Sequence, residues 1–336
     1  MSARDASHAG SWYSSNKKEL DRQLTGWLTK VGSETAQGDA LPIDGLRAII
    51  APHAGYSYSG PAAGFAYKCI NPDLFKRVFI LGPSHHIYLA GCALSKCERY
   101  ETPLGDLIVD QITTEELAQT GKFDQMSQET DEDEHSLEMH LPYIYKVFEK
   151  NPIEIVPILV GALNETTERS YGKLLAPYLN DSENLFVISS DFCHWGTRFD
   201  YTYYRDEQGT VTQSLARSGG KKNYQPPSAQ GRKIFESIRD LDHEGMEKIE
   251  QGDHGAYCRY LSQTKNTICG RHPIGVLMAA LQELDASKGR QGENGRTGHH
   301  RIQFVHYSQS SEVLTTSDSS VSYASAFVQR GTERKH

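Results

Sequence analysis

Three short apolar runs of the chain each lead into a histidine. The histidines are His53, His85 and His194, which follow the runs 47–52, 78–82 and 185–188. Continuous apolar runs bounded by glycine, proline or serine are typical of buried strands in a parallel sheet. Ligands of such sheets bind outside the carboxyl ends of the strands. We expect His53 and His85 to follow adjacent strands, so the pattern predicts a metal site in which these two imidazoles converge.

A structural role is the alternative for each of these histidines. A single histidine after a strand more often only donates hydrogen bonds across the top of the sheet. The pair His53 and His85 favours metal binding instead, because neighbouring glycine and proline residues let the backbone crowd the crevice. His86 competes with His85 for the inward position, and the sequence leaves that choice open.

Cys269 is the candidate thiol ligand. It precedes Gly270 and Pro273, and proline fits the first turn of a helix that begins there. A cysteine at a helix N-terminus has its thiolate stabilised by the helix dipole, which favours metal binding or redox chemistry. The alternative is a small buried residue without chemistry.

Asp191 and His194 place an acid and a base three positions apart in one loop after a strand. Asp191 could orient the ring of His194, or His194 could act as a general base beside a metal-bound substrate. A purely structural pair is equally consistent with the sequence, with Asp191 capping the turn and His194 packed on Trp195.

The segment around His135 and His140 resembles a zinc-protease motif but has the wrong spacing. That motif places two histidines four residues apart, whereas these are five apart and face different sides of a helix. Glu138 or His140 could still line the crevice. We expect one helix over 136–149, entered through a solvated acidic stretch at 128–134.

Composition excludes several functional classes. The 336 residues carry a net charge of −8, with 38% hydrophobic and 23% charged residues, which is typical of a globular protein and not of a nucleic-acid partner. The six cysteines do not follow a disulfide framework, and neither a signal peptide nor a membrane span is expected. These features predict a cytoplasmic protein or one shared with the nucleus. Nucleotide-binding glycine motifs and the esterase elbow are missing from the sequence.

The order of elements predicts the fold class. Strands alternate with helices, as in an α/β fold whose central, mostly parallel or mixed sheet has helices on both faces. The C-terminal runs 302–307 and 320–328 alternate as strands with one solvated face do. Since no linker divides the chain, we predict a single domain over 1–336, with peripheral inserts at about 207–229 and 287–300.

The chain closely resembles the Memo family, named for a mediator of ErbB2-driven cell motility, over about residues 6–328. The segments that carry the resemblance are 6–13 (ASHAGSWY), 49–56 (IIAPHAGY), 81–86 (LGPSHH), 130–142 (TDEDEHSLEMHLP), 189–196 (SSDFCHWG) and 266–273 (NTICGRHP). The resemblance implies a fold similar to class III extradiol dioxygenases, which use non-heme iron(II). It also implies His53, His85 and Cys269 as metal ligands, with His194 in the acid/base position.

The implied thiolate ligand bears on the metal and the reaction. A thiolate in place of the dioxygenase carboxylate shifts preference from iron(II) towards softer ions such as copper. The expected cofactor is therefore copper, or iron as in the dioxygenases, and zinc would compete for the site. Two functions follow from the resemblance. One is a metal-dependent oxidoreductase that uses dioxygen, although not for ring cleavage. The other is a non-enzymatic signalling adaptor that binds a receptor-derived peptide or phosphopeptide, linked to cell motility and cytoskeletal control.

Overall fold

The computed structural model describes three parts of the chain, which are residues 2–215, 231–287 and 300–331. The strands of these parts are β1 (Ala3–Arg4), β2 (Leu46–Ala51), β3 (Arg77–Pro83), β4 (Cys92–Leu94), β5 (Arg99–Tyr100), β6 (Leu107–Val109), β7 (Phe123–Gln125), β8 (Glu154–Val160), β9 (Asn184–Ser189), β10 (His194–Trp195), β11 (Tyr204–Arg205), β12 (Val211–Thr212), β13 (His300–Gln309) and β14 (Ser320–Arg330). The helices are α1 (Lys17–Lys30), α2 (Tyr56–Tyr67), α3 (Gln111–Gln119), α4 (Gln128–Asp133), α5 (His135–Glu138), α6 (Leu141–Val147), α7 (Glu165–Asn180), α8 (Ile234–Glu250), α9 (His254–Thr264) and α10 (Arg271–Ser287).

One large sheet organises the described residues. It contains twelve of their strands, and its centre runs β6-β8-β3-β9-β2 with every neighbouring pair parallel. Antiparallel pairing of β14 with β2 and of β13 with β14 extends one side. The predicted α/β class with a central mixed sheet is confirmed. Strands from the first and last described parts of the chain share this sheet, and one domain over residues 1–336 stays a prediction.

Helices cover both faces of the sheet. Alternate residues of β2 point into two separate cores, with Ile50 in the core that includes α7 and α10 and Ile49 in the core that includes α1, α2 and α6. Every residue of β2 and β9 is buried, which explains why these strands are continuous apolar runs in the sequence. Burial of each such isoleucine contributes about 1.5–3 kcal/mol. The strands that carry the site are therefore rigid.

The order of the central strands corrects one expectation. The strands before His53 and His85 are not neighbours, because β9 lies between β2 and β3 and pairs with both. All three strands are parallel, so their carboxyl ends still meet at one edge of the sheet. The last residue of β9, Ser189, consequently lies between the two histidine loops.

The helix expected over 136–149 is wrong in its extent. The chain forms two short helices over this region instead, α5 and α6. Glu134 caps α5 by accepting a hydrogen bond from the Ser136 amide, and Pro142 lies in the first turn of α6. Because proline cannot continue a preceding helix, the direction changes there.

The C-terminal strand lacks the solvated face that its alternation predicts. Residues 320–328 of β14 are all buried, because β2 and β13 flank the strand and α2 packs against it. Its serines are satisfied internally, and the Ser325 hydroxyl donates to the Ala62 carbonyl at 2.7 Å.

Residues 216–229 and 288–299 of the two expected inserts lie outside the described residues. Within the described start of the first insert, β12 pairs with β11 in a separate two-stranded sheet. Among the described helices, we find none with the length and apolarity that crossing a bilayer requires.

Candidate metal centre

His53 lies two residues after β2 and is almost completely buried. Its Nδ1 atom lies 2.6 Å from the Ser189 hydroxyl, which itself donates to the Ser136 carbonyl at 2.7 Å. The serine proton is thus used, so Ser189 accepts from Nδ1–H and the lone pair of the ring is left on Nε2. That Nε2 atom lies 3.1 Å from the Cys269 sulfur. Burial, followed by the charges of His85 and other nearby histidines, lowers the pKa of His53 well below its usual range, so the imidazole is neutral and able to bind a metal.

Glu134 fixes the orientation of His85. Its carboxylate accepts from the His85 amide at 2.7 Å and contacts His85 Nδ1 at 2.8 Å. Burial alone would raise the pKa of Glu134, but the hydrogen bonds and charge of His85 lower it to about 2. An ionised carboxylate can only accept, so His85 Nδ1 carries the proton and Nε2 is available as a ligand. His85, and not His86, belongs to the described group of donors that contains His53 and His135.

Cys269 lies in the turn before α10. Its sulfur accepts from the Asp191 amide at 3.1 Å and lies 3.3 Å from the Asp191 carbonyl oxygen. Gly270 makes this approach achievable, because a Cβ there would collide with the Ser189 carbonyl and the Ser190 side chain. Burial, reinforced by the Asp191 carboxylate, raises the pKa of the thiol well above its usual range. Burial therefore outweighs the stabilisation expected from the helix dipole, and the thiolate form needs a cation beside it.

His135 is a site residue that the sequence analysis missed. Its ring stacks on His85 with centroids 4.3 Å apart, and the donors of His53, His85 and His135 all lie within 4.8 Å of one another. Burial, followed by the charge of His85, lowers the pKa of His135 to about 3. Its Nδ1 atom is buried and has no hydrogen-bond partner among the described residues. The spacing argument rejected a pair of histidines on one helix and so gave no signal for His135 alone.

Asp191 holds the loop that carries His53. Its carboxylate accepts from the His53 amide at 2.8 Å and from the Ala54 amide at 3.4 Å. Burial raises the pKa of Asp191 to about 7, against the effect of these two amides. Asp191 also forms a second group with His53 and Cys269, whose donors lie within 4.8 Å of one another.

His194 is anchored by the backbone rather than by Asp191. Its Nδ1 atom lies 2.9 Å from the Phe192 carbonyl, so Nδ1 is protonated and the lone pair is on Nε2. The ring meets Phe199 edge to face with centroids 5.1 Å apart. Burial lowers the pKa of His194, which favours the neutral imidazole. Because Nδ1 contacts the backbone, Nε2 is the nitrogen able to accept a proton.

The acidic stretch 128–134, expected to be solvated, is exposed at three positions but buried at Asp131 and Glu134. The Arg4 guanidinium, fully buried on β1, lies 3.1 Å from Asp131 Oδ1 and 2.7 Å from Glu138 Oε2. It also donates to the Glu134 carbonyl at 3.0 Å. Arg4 therefore holds the segment that positions Glu134 and His135 in the site.

Glu138 and His140 do not join the metal-binding groups. Glu138 accepts from Tyr13 at 2.7 Å in addition to Arg4. His140 is completely buried and contacts the Tyr67 hydroxyl through Nδ1 at 2.9 Å.

The types of donor suit a transition-metal ion, and they fall into two groups that share His53. One group adds His85 and His135 and the other adds Asp191 and Cys269, so no described group contains His53, His85 and Cys269 together. Imidazole and thiolate ligands suit copper, iron and zinc, whereas magnesium and calcium prefer oxygen. His135 Nδ1 has no hydrogen-bond partner among the described residues and lies 3.7 Å from Glu134 Oε1.

The chain is similar to known proteins of a single family. The family model for Memo-like protein matches residues 4–327. Protein MEMO1 of Danio rerio is 50% identical over 326 residues, with 96% of each chain covered. Protein MEMO1 of Homo sapiens is 48% identical, with 96% of this chain and 95% of that protein covered. A homologue from Caenorhabditis elegans, protein memo-1 homolog, is 45% identical, with 96% and 81% covered.

A solved structure of an uncharacterised Escherichia coli K12 protein, JW3007, covers 83% of this chain and 98% of its own. Its TM-score of 0.45 and identity of 12% are too low to support an argument about this chain. The family match and the full-length relatives are decisive by themselves. This chain belongs to the Memo family.

Proposed function

We propose that this chain is a metal-dependent redox protein that binds copper or iron through His53, His85 and Cys269. The 3.1 Å approach of His53 Nε2 to the Cys269 sulfur carries the proposal. This contact joins an imidazole of fixed tautomer to a thiol whose pKa burial raises, and a bound cation would favour its thiolate form.

The surrounding hydrogen bonds support the proposal. Ser189 and Glu134 each occupy the Nδ1 atom of a candidate ligand, as hydrogen-bond partners of metal-binding histidines usually do. His135 supplies a further donor within 4.8 Å of the donors of His53 and His85, and Asp191 supplies one within 4.8 Å of the donors of His53 and Cys269. When bound, copper or iron supplies one-electron exchange with dioxygen. In this proposal His194 Nε2 accepts or returns the proton that accompanies this exchange.

Membership of the Memo family supports a role in signalling that controls cell motility and the cytoskeleton. The proposed redox chemistry would act there on a protein partner, with thiol groups as the substrate class.

Removal of a ligand tests metal binding. We expect the affinity for copper(I) or iron(II) to fall by at least ~10-fold in each of the variants His53→Ala, His85→Ala and Cys269→Ser. A loss of about this size is usual when only a hydrogen-bond partner of a metal ligand is removed, so removal of a ligand should cost at least as much. The apo-protein would be titrated against a chromophoric chelator under anaerobic conditions, and each variant checked by circular dichroism.

Two matched controls accompany these variants. His86→Ala removes the neighbouring histidine, and Cys193→Ser removes a buried thiol that lies outside the metal-binding groups. Both should keep the affinity within a few-fold. Loss of binding in Cys193→Ser together with full binding in Cys269→Ser would show that the wrong thiol has been chosen.

Peptide binding is the second candidate function, favoured by apolar side chains exposed beside the centre. Trp12 is 36% exposed and its ring lies 4.4 Å from that of His135. Ile87 and Tyr88, just after His85, are 41% and 84% exposed. Exposed aromatic and aliphatic side chains around a crevice are typical of sites for partner segments.

An adaptor would bind its peptide without metal. Fluorescence anisotropy with phosphotyrosine peptides from receptor tails should then give equal affinity before and after chelation and in His53→Ala. Tyr88→Ala should weaken the same peptide by about 10-fold, the loss of one interface side chain worth somewhat more than 1 kcal/mol. Peptide binding that disappears on chelation would contradict the adaptor role.

A further inference from the structure

A second cluster of metal-binding side chains lies where three helices meet. Glu168 is on α7, His254 and Cys258 are on α9, and His272 is on α10. The donors of Glu168, His254 and Cys258 all lie within 4.8 Å of one another. None of these residues belongs to the His53 centre, and we refer to the four of them as the helix-junction cluster.

The sequence of α9 explains how two of the donors meet. His254 and Cys258 are four residues apart, so they share one face of the helix. His254 Nε2 lies 3.6 Å from the Cys258 sulfur and 2.6 Å from Glu168 Oε2, and the sulfur lies 3.7 Å from the same oxygen. His254 is completely buried, Glu168 nearly so, and Cys258 is half-buried.

These spacings suit a tetrahedral zinc ion. Zinc binds nitrogen and oxygen at about 2.0–2.2 Å and sulfur at about 2.3 Å, which separates neighbouring donors by roughly 3.3–3.6 Å. The two distances to sulfur are already at that separation. The shorter contact between Glu168 and His254 is a hydrogen bond that would open by less than about 1 Å. One carboxylate and one thiolate would balance the charge of the ion.

The third helix supports the carboxylate. His272 Nδ1 lies 2.7 Å from Glu168 Oε1, whereas His254 contacts the other carboxylate oxygen, Oε2. A Cβ at Gly275 would lie 2.5 Å from the Glu168 carboxylate, so glycine is what admits this side chain against α10. Ligating carboxylates are typically held by such outer hydrogen bonds.

A cavity gives access to the cluster. It has a volume of about 750 Å³, and its lining includes Glu168, Cys258 and His272 together with the cations Lys265 and Arg271. Zinc sites with three protein ligands and one open position keep that position for water or a ligand. The two lining cations suit an anionic ligand.

We propose that Glu168 Oε2, His254 Nε2 and Cys258 Sγ bind a zinc ion whose fourth position opens into this cavity, with His272 aligning Glu168. The site is independent of copper or iron binding at His53, because the two centres share no ligand. Its open position would take water or a small anion such as a carboxylate.

Zinc titration of the full chain in the His53→Ala background tests the proposal, because His53 belongs to both donor groups of the first centre. We expect one zinc ion per chain after stripping with chelator and reloading. Adding Cys258→Ser should lower the zinc affinity at least ~100-fold, beyond the 10–100-fold usual for a supporting residue, and His272→Gln should lower it ~10–100-fold. Cobalt(II) in place of zinc should show a thiolate-to-cobalt charge-transfer absorption that Cys258→Ser abolishes. Cys97→Ser, which changes a buried thiol outside both clusters, should leave zinc affinity and absorption unchanged.

Three results would overturn the proposal. They are absence of zinc binding in the His53→Ala background, unchanged affinity in Cys258→Ser, and cobalt binding without the thiolate absorption. Each would leave the cluster as a hydrogen-bonded junction of helices. Glu168→Gln is a weaker test, because Glu168 also holds the two histidines and the variant could fail to fold. In that case Cys258→Ser decides the outcome, because Cys258 is only half-buried.

Discussion

His194→Ala should leave the affinity for copper or iron within a few-fold and lower any oxygen-dependent turnover by about 10²–10⁴, the usual contribution of a general base. The affinity is expected to persist because the described metal-binding groups do not include His194. The turnover is expected to fall because His194 Nδ1 is occupied by the Phe192 carbonyl, which leaves Nε2 to accept a proton. Metal affinity and dioxygen consumption would be measured side by side on the same preparations.

His243→Ala is the matched control, since His243 is an exposed histidine on α8. It should change neither quantity. Lost metal affinity in His194→Ala would instead make His194 a ligand and the centre a closed site of the structural kind. If affinity and turnover both stayed unchanged, His194 would have no chemical role and the adaptor function would gain support.

Arg4→Met should lower the free energy of unfolding by about 3–5 kcal/mol, the loss typical when a buried ion pair loses one partner. The carboxylates of Asp131 and Glu138 would remain buried without their cation. Urea denaturation followed by circular dichroism measures the change. The metal affinity should fall as well, because the same segment carries Glu134 and His135 into the site.

Arg169→Met provides the comparison for this prediction. Arg169 pairs with Glu165 on the surface of α7, where the two side chains are 48% and 49% exposed. Exposed pairs of this kind contribute less than about 1 kcal/mol. Equal destabilisation by the two substitutions would contradict a special role for Arg4.

The strand-end histidines could be predicted from the sequence because local patterns determine them. Buried parallel strands must be apolar throughout, so β2 and β3 stand out and the residues after them are identified directly. The order of the strands could not be predicted, because the insertion of β9 between them depends on pairing between residues more than one hundred positions apart.

Glu134 and His135 were missed for a related reason. An acidic run is usually solvated, and nothing near residue 134 indicates otherwise. The partner that allows burial is Arg4, which is 127 positions from Asp131 and 134 from Glu138. Such a charge network becomes visible only when the chain is folded.

The prediction for Cys269 shows how burial competes with helix position. A cysteine before a helix suggests a lowered thiol pKa, but burial and Asp191 act more strongly in the opposite direction. The sequence also suggested that Asp191 could orient the ring of His194, and the folded chain uses Asp191 differently. Its carboxylate contacts the amide of His53, whereas the His194 ring is held by a backbone carbonyl.

The contact between His53 and Cys269 joins residues 216 positions apart. An ion held there would be bound by the folded chain and released by the unfolded one, so metal occupancy and folding become a single equilibrium. At a free metal concentration 1,000 times the dissociation constant, such linkage adds about 4 kcal/mol to the free energy of unfolding. A difference of this size changes how often the chain opens to proteases, and therefore its abundance. The amount of this protein in a cell would then follow the supply of its metal, whether or not the centre turns over a substrate.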